Sequence, residues 1–198
     1  MHGVELDGIQ VEAAGRTDAA IARDLLRAAG VGDAAIDAGA DEVAAAAVAA
    51  YAELCPPDLS AYVAPGVGDA LAALSERPDV YRLALVTGNL EPVARRKLAS
   101  AGIGGYFPAG QGGFGSDAED RGQLPAVARR RAGAWPRERT VVIGDTPRDI
   151  ACARVDGVRV VAVATGPFSA EALADADAVV DGARAVLPVL DDWASATD

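Results

Sequence analysis

The spacing of apolar side chains changes along the chain and divides it into two parts. Residues 17–29 and 41–54 repeat apolar positions at the spacing of a helix, and Pro56 and Pro57 end the second pattern. From Gly66 onward, short apolar runs alternate with helical patterns. The sequence therefore predicts an all-helical segment followed by an alternating α/β region.

The α/β region contains short runs that are apolar at nearly every position. They predict strands at residues 82–86, 140–143, 159–163 and 178–180, and helices at residues 70–76, 91–101, 124–132, 149–155 and 170–174. Because these runs lack polar alternation, helices should cover both faces of each strand, as in a parallel sheet. We expect an open α/β core, in which ligands bind beyond the carboxyl ends of the strands.

Two carboxylates follow one of these strand ends. Asp145 and Asp149 lie four residues apart, between predicted strand 140–143 and the next helix. They can converge on one Mg²⁺, a cation that takes few carboxylates and keeps several waters. A helix cap is the alternative, since an aspartate near a helix start bonds free backbone N–H groups.

A second polar group follows predicted strand 82–86. Thr87, Gly88 and Asn89 offer a hydroxyl, a close backbone approach and a side-chain amide, and all three can donate hydrogen bonds to a phosphate. Lys97, the only lysine, lies on the next predicted helix and suits a phosphate as a point charge. A strand-to-helix turn capped by Asn89, with a solvated Lys97, explains the same residues without a ligand.

Composition excludes several classes of partner and chemistry. The net charge of −11 argues against nucleic-acid and anionic-membrane partners, and the one basic run, Arg129–Arg131, is interpreted as a solvated helix face. The only histidine is His2, which leaves no buried imidazole for a catalytic triad or a histidine metal site. Cys55 and Cys152 form no C-x-x-C pair and are interpreted as reduced core residues.

Two further sequence features bear on location and on ligands. No long apolar run and no signal peptide is visible, so a cytoplasmic protein is expected. Residues 110–115 satisfy the pattern G-x-G-x-x-G, but they follow no clear strand and no acidic residue lies about 20 positions on. We interpret this stretch as a flexible loop near the site.

Three segments, taken in order, closely resemble the second, third and fourth motifs of the haloacid dehalogenase-like (HAD) hydrolases: residues 85–89, Lys97 and residues 142–150. Residues 15–18 are similar to the cap segment of the phosphoglycolate-phosphatase-like branch. The resemblance implies a Rossmann-like open parallel sheet at residues 63–198, with a small all-helical cap at residues 1–62.

The resemblance also implies roles for individual residues. Thr87, Gly88 and Asn89 would hold the transferring phosphoryl group, and Lys97 would neutralise it beside the nucleophile. Asp145 and Asp149 would bind or position Mg²⁺. The implied reaction is hydrolysis of a small phosphomonoester through an aspartyl-phosphate intermediate.

The first motif of the family, a D-x-D-G-[TV] run at the end of a strand, is missing. Leu6-Asp7-Gly8 lacks the second aspartate, and Asp175-Ala176-Asp177 lies near the other terminus. In the family this strand lies between the strands that match residues 82–86 and 140–143. Its loss would leave a gap of roughly 9.6 Å in place of the usual ~4.8 Å. These two strands could pair directly, or residues 4–11 could fill the gap, or the natural chain could be longer, which we favour.

Three functions follow from this comparison of motifs. The leading hypothesis is a Mg²⁺-dependent phosphomonoester hydrolase that is inactive as these 198 residues because the nucleophilic aspartate is absent. The alternative is a non-catalytic protein that binds or senses a phosphorylated ligand on the same fold. Carbon–halogen hydrolysis is a weaker hypothesis, because a haloacid dehalogenase does not need the metal that Asp145 and Asp149 suggest.

Overall fold

The computed structural model describes residues 3–196, and its first regular elements are two helices. Helix α1 spans Asp18–Ala28 and starts at Thr17, whose hydroxyl accepts a hydrogen bond from Ala20 N at 3.2 Å. Helix α2 spans Asp33–Leu54 and begins eight residues before the predicted start. The added turns are rich in alanine, and Ile36 is the residue in them that is buried. Small side chains extend the helix without a strong apolar repeat.

The remaining elements alternate between helices and short strands. They are α3 (Val67–Ser75), β1 (Val86–Thr87), α4 (Glu91–Ser100), β2 (Gly113–Phe114), α5 (Leu124–Arg131), β3 (Val141–Gly144), α6 (Pro147–Asp156), β4 (Arg159–Val163), β5 (Ala178–Val180) and α7 (Val186–Ser195). All the strand pairs in residues 3–196 are parallel. The predicted α/β class with parallel strands is confirmed, and β4 and β5 have their predicted bounds.

The strands form two separate sheets. One contains β1 and β2, and the other contains β3, β4 and β5 in that order. Within residues 3–196, β1 does not pair with β3, and residues 4–11 form no strand that could fill the gap between them. Residues 82–85 have the apolar pattern of a strand but are assigned to none, because a strand also requires a hydrogen-bonded neighbour.

Two elements near the carboxyl end differ from the prediction. The predicted helix at residues 170–174 is a series of turns, closed by a bond from Leu173 N to Ser169 O at 3.2 Å. Helix α7 was missed, although Val186 and Leu190 have helical spacing and are both buried.

The core lies on both faces of β4. Val160 and Ala162 pack in one cluster with Cys152 of α6, whereas Val161 and Val163 pack in another with residues of α3 and α7. Both faces of this strand are therefore covered, as its unbroken apolar run predicts.

Several interpretations of single residues need correction. Cys152 is buried, but Cys55 is only half-buried and is not a core residue. Arg129 does not lie on a solvated face, because its guanidinium pairs with the buried carboxylate of Asp156 at 2.7 Å. His2 lies outside the described residues. No helix in residues 3–196 is long and apolar enough to cross a membrane.

Candidate phosphate and metal site

The first half of the candidate site lies at the end of β1 and is organised around Asn89. The Asn89 amide nitrogen Nδ2 donates to Asp18 Oδ1 at 2.9 Å, and its Oδ1 accepts from Lys97 Nζ at 2.9 Å. Its backbone N–H donates to Thr87 Oγ1 at 3.2 Å. Lys97 Nζ also lies 5.2 Å from the centre of the Tyr51 ring, which belongs to α2. The structure therefore brings the side chains of Thr87, Asn89 and Lys97 together.

Asp18 is a member of this group that the sequence analysis missed. Its Oδ2 accepts from Leu90 N at 2.8 Å, and its own N–H donates to Gly88 O at 2.8 Å. It thus orients Asn89 and ties the start of α4 to the start of α1. The signal that could have identified Asp18 is its position in residues 15–18, which resemble the cap segment of the family.

Gly88 lies where two backbone segments meet. A Cβ there would lie 2.7 Å from Arg16 C and 2.9 Å from Thr17 Cα, and it would overlap the Arg16 carbonyl oxygen. On the same segment, a Cβ at Gly15 would contact Thr146 Oγ1 at 3.1 Å. Residues 15–18 therefore connect the carboxyl end of β1 to the turn that follows β3.

The second half of the site follows β3. Asp149 Oδ2 accepts hydrogen bonds from Thr146 N at 3.0 Å and from Asp145 N at 3.2 Å, and Thr146 Oγ1 accepts from Asp149 N at 3.3 Å. This reciprocal pair is a capping box at the start of α6. Asp149 therefore acts as a helix cap. It also fixes the backbone of Asp145, whose N–H donates to the Asp149 carboxylate.

Asp145 has the properties of a cation ligand. Burial raises the pKa of its carboxyl group, and the nearby charge of Asp149 raises it further. Within residues 3–196, no three acidic, cysteine or histidine side chains form a complete metal-binding cluster. Mg²⁺ needs fewer, because one or two carboxylates, waters and a substrate phosphate complete its shell. The exposed carboxylate of Asp145 fits Mg²⁺ as such a ligand, whereas both oxygens of Asp149 are already engaged, by the capping box and by Arg121.

Arg121 is the second site residue that the sequence analysis missed. It forms an ion pair with Asp149, and its Nε is buried without a hydrogen-bond partner in the described structure. Asp120 shapes the turn that presents it, since its carboxylate accepts from Gly122 N at 2.8 Å. A buried donor without a partner is costly, so the ion pair with Asp149 is the contact that holds this guanidinium in place.

The loop that leads to Arg121 is held in place, contrary to the prediction of a flexible loop. Gly113 and Phe114 form β2 beside β1, and the Phe114 ring is fully buried. Gly115 N donates to Asn89 O at 2.9 Å. This loop therefore runs from the Asn89 half of the site to the Asp149 half.

Comparison with known families covers both halves of this site. The family model for haloacid dehalogenase-like hydrolases matches residues 9–154, which is more than half of the chain. The chain belongs to the haloacid dehalogenase-like hydrolases. A second family model, HAD-hydrolase-like, matches residues 122–192. No curated protein matches the chain.

Membership of the haloacid dehalogenase-like hydrolases confirms the predicted family and agrees with the parallel α/β fold. The phosphoglycolate-phosphatase-like branch and the boundary between a cap at residues 1–62 and a core at residues 63–198 stay predictions. The same holds for the individual roles predicted for the site residues: Thr87, Gly88, Asn89, Lys97, Asp145 and Asp149.

Proposed function

We propose that this chain carries the phosphate-binding and Mg²⁺-binding groups of a phosphomonoester hydrolase that acts on a small phosphometabolite. The observation that carries the proposal is the arrangement of donors at the end of β1, which residues 15–18 connect to the turn after β3 that carries Asp145 and Asp149. The hydrolase family supports the reaction class.

The donors around Asn89 suit a phosphate group. Thr87 Oγ1 accepts a bond from Asn89 N, which leaves its own O–H proton to donate to a phosphate oxygen. Lys97 uses one of its three N–H groups on Asn89, and the other two can bind the ligand. Charged donors such as these bind phosphate oxygens more strongly than neutral groups do.

Asp145 would hold Mg²⁺, and Asp149 would position Asp145 through its backbone N–H. When bound, the ion would neutralise negative charge on the phosphoryl group. Gly166 leaves room beside the Asp145 carboxylate, since a Cβ at that position would lie 2.5 Å from Oδ2.

The described residues supply no free carboxylate that is suited to attack a phosphate held by Thr87 and Lys97. Both oxygens of Asp18 accept hydrogen bonds, from Asn89 and from Leu90, and these bonds hold it in a structural role. We therefore propose that these 198 residues bind phosphate without hydrolysing phosphomonoesters.

The same observation supports a second candidate, a non-catalytic protein that binds a phosphorylated ligand. A binding protein needs the donors around Asn89 but no nucleophile. A cytoplasmic location remains part of either proposal, and the net charge of −11 supports the absence of a nucleic-acid or anionic-membrane partner.

Lys97→Met is expected to weaken the binding of inorganic phosphate by roughly tenfold to a hundredfold, because it removes a charge-assisted hydrogen bond. Calorimetry in the presence of Mg²⁺ measures this affinity. Arg96→Met is the matched control, since Arg96 is the exposed neighbour on the same helix and loses the same charge. Equal losses in the two variants would contradict a direct role for Lys97.

Turnover separates the two candidate functions. We expect no release of phosphate from p-nitrophenyl phosphate by the 198-residue chain. The same chain, extended ahead of residue 1 by a strand that ends in D-x-D, is expected to hydrolyse it with Mg²⁺, and Asp145→Asn in that extended chain is expected to abolish the activity. An extended chain that folds and binds phosphate but stays inactive would contradict the hydrolase and favour the binding protein.

A further inference from the structure

A cleft rich in arginine lies at the end of β3 and β4 that is opposite to Asp145. Its volume is about 530 Å³, and three of the six residues that line it are Arg137, Arg154 and Arg159. Arg159 is the first residue of β4 and is paired with Val141, the first residue of β3. This arginine cleft therefore lies at the amino ends of the two strands, whereas Asp145 follows the carboxyl end of β3.

The charge of the arginine cleft is opposite to that of the whole chain. Its three guanidinium groups share the lining with one carboxylate, that of Glu138, and the carboxylate of Asp177 lies beside it as the partner of Arg154. Only 18 of the 198 residues are basic, so three in a lining of six is a strong local enrichment. Such a concentration of positive charge attracts anions.

Two of the arginines are held near the end of α6. Arg137 Nε donates to Asp156 O at 2.6 Å and to Asp156 Oδ1 at 3.3 Å. Arg154 donates through its two terminal nitrogens to Asp177 Oδ2 and to Asp175 O, each at 2.7 Å. The free carbonyl groups of a helix end favour nearby cations, which gives both arginines a structural role. The two terminal nitrogens of Arg137 nevertheless have no hydrogen-bond partner in residues 3–196.

The helix end does not account for Arg159. One of its terminal nitrogens donates to Glu138 O at 3.2 Å, and its guanidinium carbon lies 4.5 Å from the centre of the Trp193 ring. Its Nε and its other terminal nitrogen have no hydrogen-bond partner in the described part of the chain. Because the ring and the carbonyl group already hold this side chain, an anion can bind the remaining donors at a small cost in entropy.

The free N–H groups of Arg137 and Arg159 suit phosphate. A guanidinium binds a phosphate group through two parallel, charge-assisted hydrogen bonds. A phosphate group carries close to two negative charges at neutral pH, so its attraction to the arginines offsets the repulsion from a protein with a net charge of −11. A cleft of about 530 Å³ has the size of a small-molecule pocket and is too large for one phosphate to fill.

We propose that the arginine cleft is a second binding site, for a small molecule that carries two or more phosphate groups. Arg137 and Arg159 bind the phosphate oxygens through their free N–H groups, and Arg154 adds a third positive charge. The site is separate from the donors around Asn89, so the proposal does not depend on the proposed hydrolase function.

Inorganic pyrophosphate is the probe that tests the proposal. It is titrated without Mg²⁺ into the 198-residue chain that carries Lys97→Met, which weakens binding at the donors around Asn89. Backbone amide NMR then locates the bound anion. We expect saturable shift changes in residues 137–139 and 154–159, and none in residues 87–90.

Arg159→Gln is expected to weaken pyrophosphate binding by about tenfold or more, because it removes charged donors. Arg159→Lys keeps the charge without the planar pair of donors and should recover only part of the affinity. Arg137→Gln tests the same site from a different element and should also weaken binding.

Arg184→Gln is the matched control for these variants. The Arg184 side chain is 78% exposed, pairs with Asp69 and lies outside the lining of the arginine cleft, so its loss should leave the affinity unchanged. Far-UV circular dichroism checks that every variant is folded.

Four results would overturn the proposal. The first is the absence of saturable shift changes in residues 137–139 and 154–159, and the second is an equal loss of affinity in Arg159→Gln and Arg184→Gln. The third is binding of citrate that is as tight as that of pyrophosphate, which would identify a site for carboxylates. The fourth is tighter binding of a peptide with two adjacent phosphoserines, which would identify a phosphorylated protein as the partner.

Discussion

Asp156→Asn is expected to lower the free energy of unfolding by about 3 kcal/mol, because it breaks a buried ion pair and leaves its partner unpaired. The Asp156 side chain is 1% exposed, and its two oxygens accept from Arg129 Nε and a terminal Arg129 nitrogen, each at 2.7 Å. Arg137 Nε adds a longer bond at 3.3 Å. Urea unfolding near neutral pH measures the loss.

The matched control is Asp37→Asn. Asp37 also pairs with an arginine, Arg23, at 2.8 Å, but its side chain is 64% exposed. An exposed pair of this kind contributes little to stability, because water and salt screen the two charges. A loss in Asp156→Asn that is as small as the loss in Asp37→Asn would contradict the assignment of Asp156 as a buried anchor of α5 and α6.

Acid should reduce the difference between the unaltered protein and Asp156→Asn. Burial raises the pKa of Asp156, but the hydrogen bonds and charge of Arg129, with Arg137, lower it by more, so the net shift is downward. A carboxyl group with a lowered pKa in the folded state stabilises the fold fully above its unfolded pKa of about 3.9 and loses that effect as the pH falls through the folded pKa. The difference should therefore be largest near neutral pH and shrink as the pH falls below about 4. A difference that stays constant in acid would show that the carboxylate charge is not its source.

The strand ends and most helices could be predicted because their signals are local. The apolar run at residues 159–163 is bounded by Gly157 on one side, and it forms β4 with the predicted bounds. The run at residues 82–86 has an equally clear pattern, yet only Val86 belongs to a strand. The difference lies in pairing: β4 has a strand on each side, β3 and β5, whereas residues 82–85 have no paired strand.

The contacts that assemble the site could not be predicted because they join distant parts of the sequence. Asp18 and Asn89 are 71 positions apart, and Arg121 and Asp149 are 28 positions apart. The sequence indicated which residue types follow the strands, but a single chain carries no signal for which acid meets which amide. Lys97 shows the consequence, since its predicted position beside a phosphate depends on one hydrogen bond to Asn89 and on the ring of Tyr51.

The two amino-terminal helices therefore position the side chains of the site. Asp18 of α1 fixes Asn89, and Tyr51 of α2 contacts Lys97. A displacement of either helix would move a phosphate donor. The contact between Gly88 and the segment before α1 is the closest of these connections, and a substitution there tests how strongly the helices and the strand end depend on each other.

Gly88→Ala is expected to lower the free energy of unfolding by about 3 kcal/mol or more and to weaken phosphate binding by about tenfold or more. The added Cβ would lie 2.7 Å from Arg16 C and 2.9 Å from Thr17 Cα. These are backbone atoms, so no side-chain rotation can relieve the overlap. Residues 15–18 must move away, which breaks the 2.8 Å bond from Asp18 N to Gly88 O.

Gly68→Ala is the matched control for this substitution. Gly68 lies in α3, and a Cβ there would contact nothing within 4 Å. Alanine should stabilise this helix by up to about 1 kcal/mol and leave phosphate affinity unchanged. Urea unfolding and phosphate calorimetry on both variants make the comparison. If Gly88→Ala kept both its stability and its phosphate affinity, residues 15–18 would not be packed against the end of β1, and the site could not be organised by the helical segment.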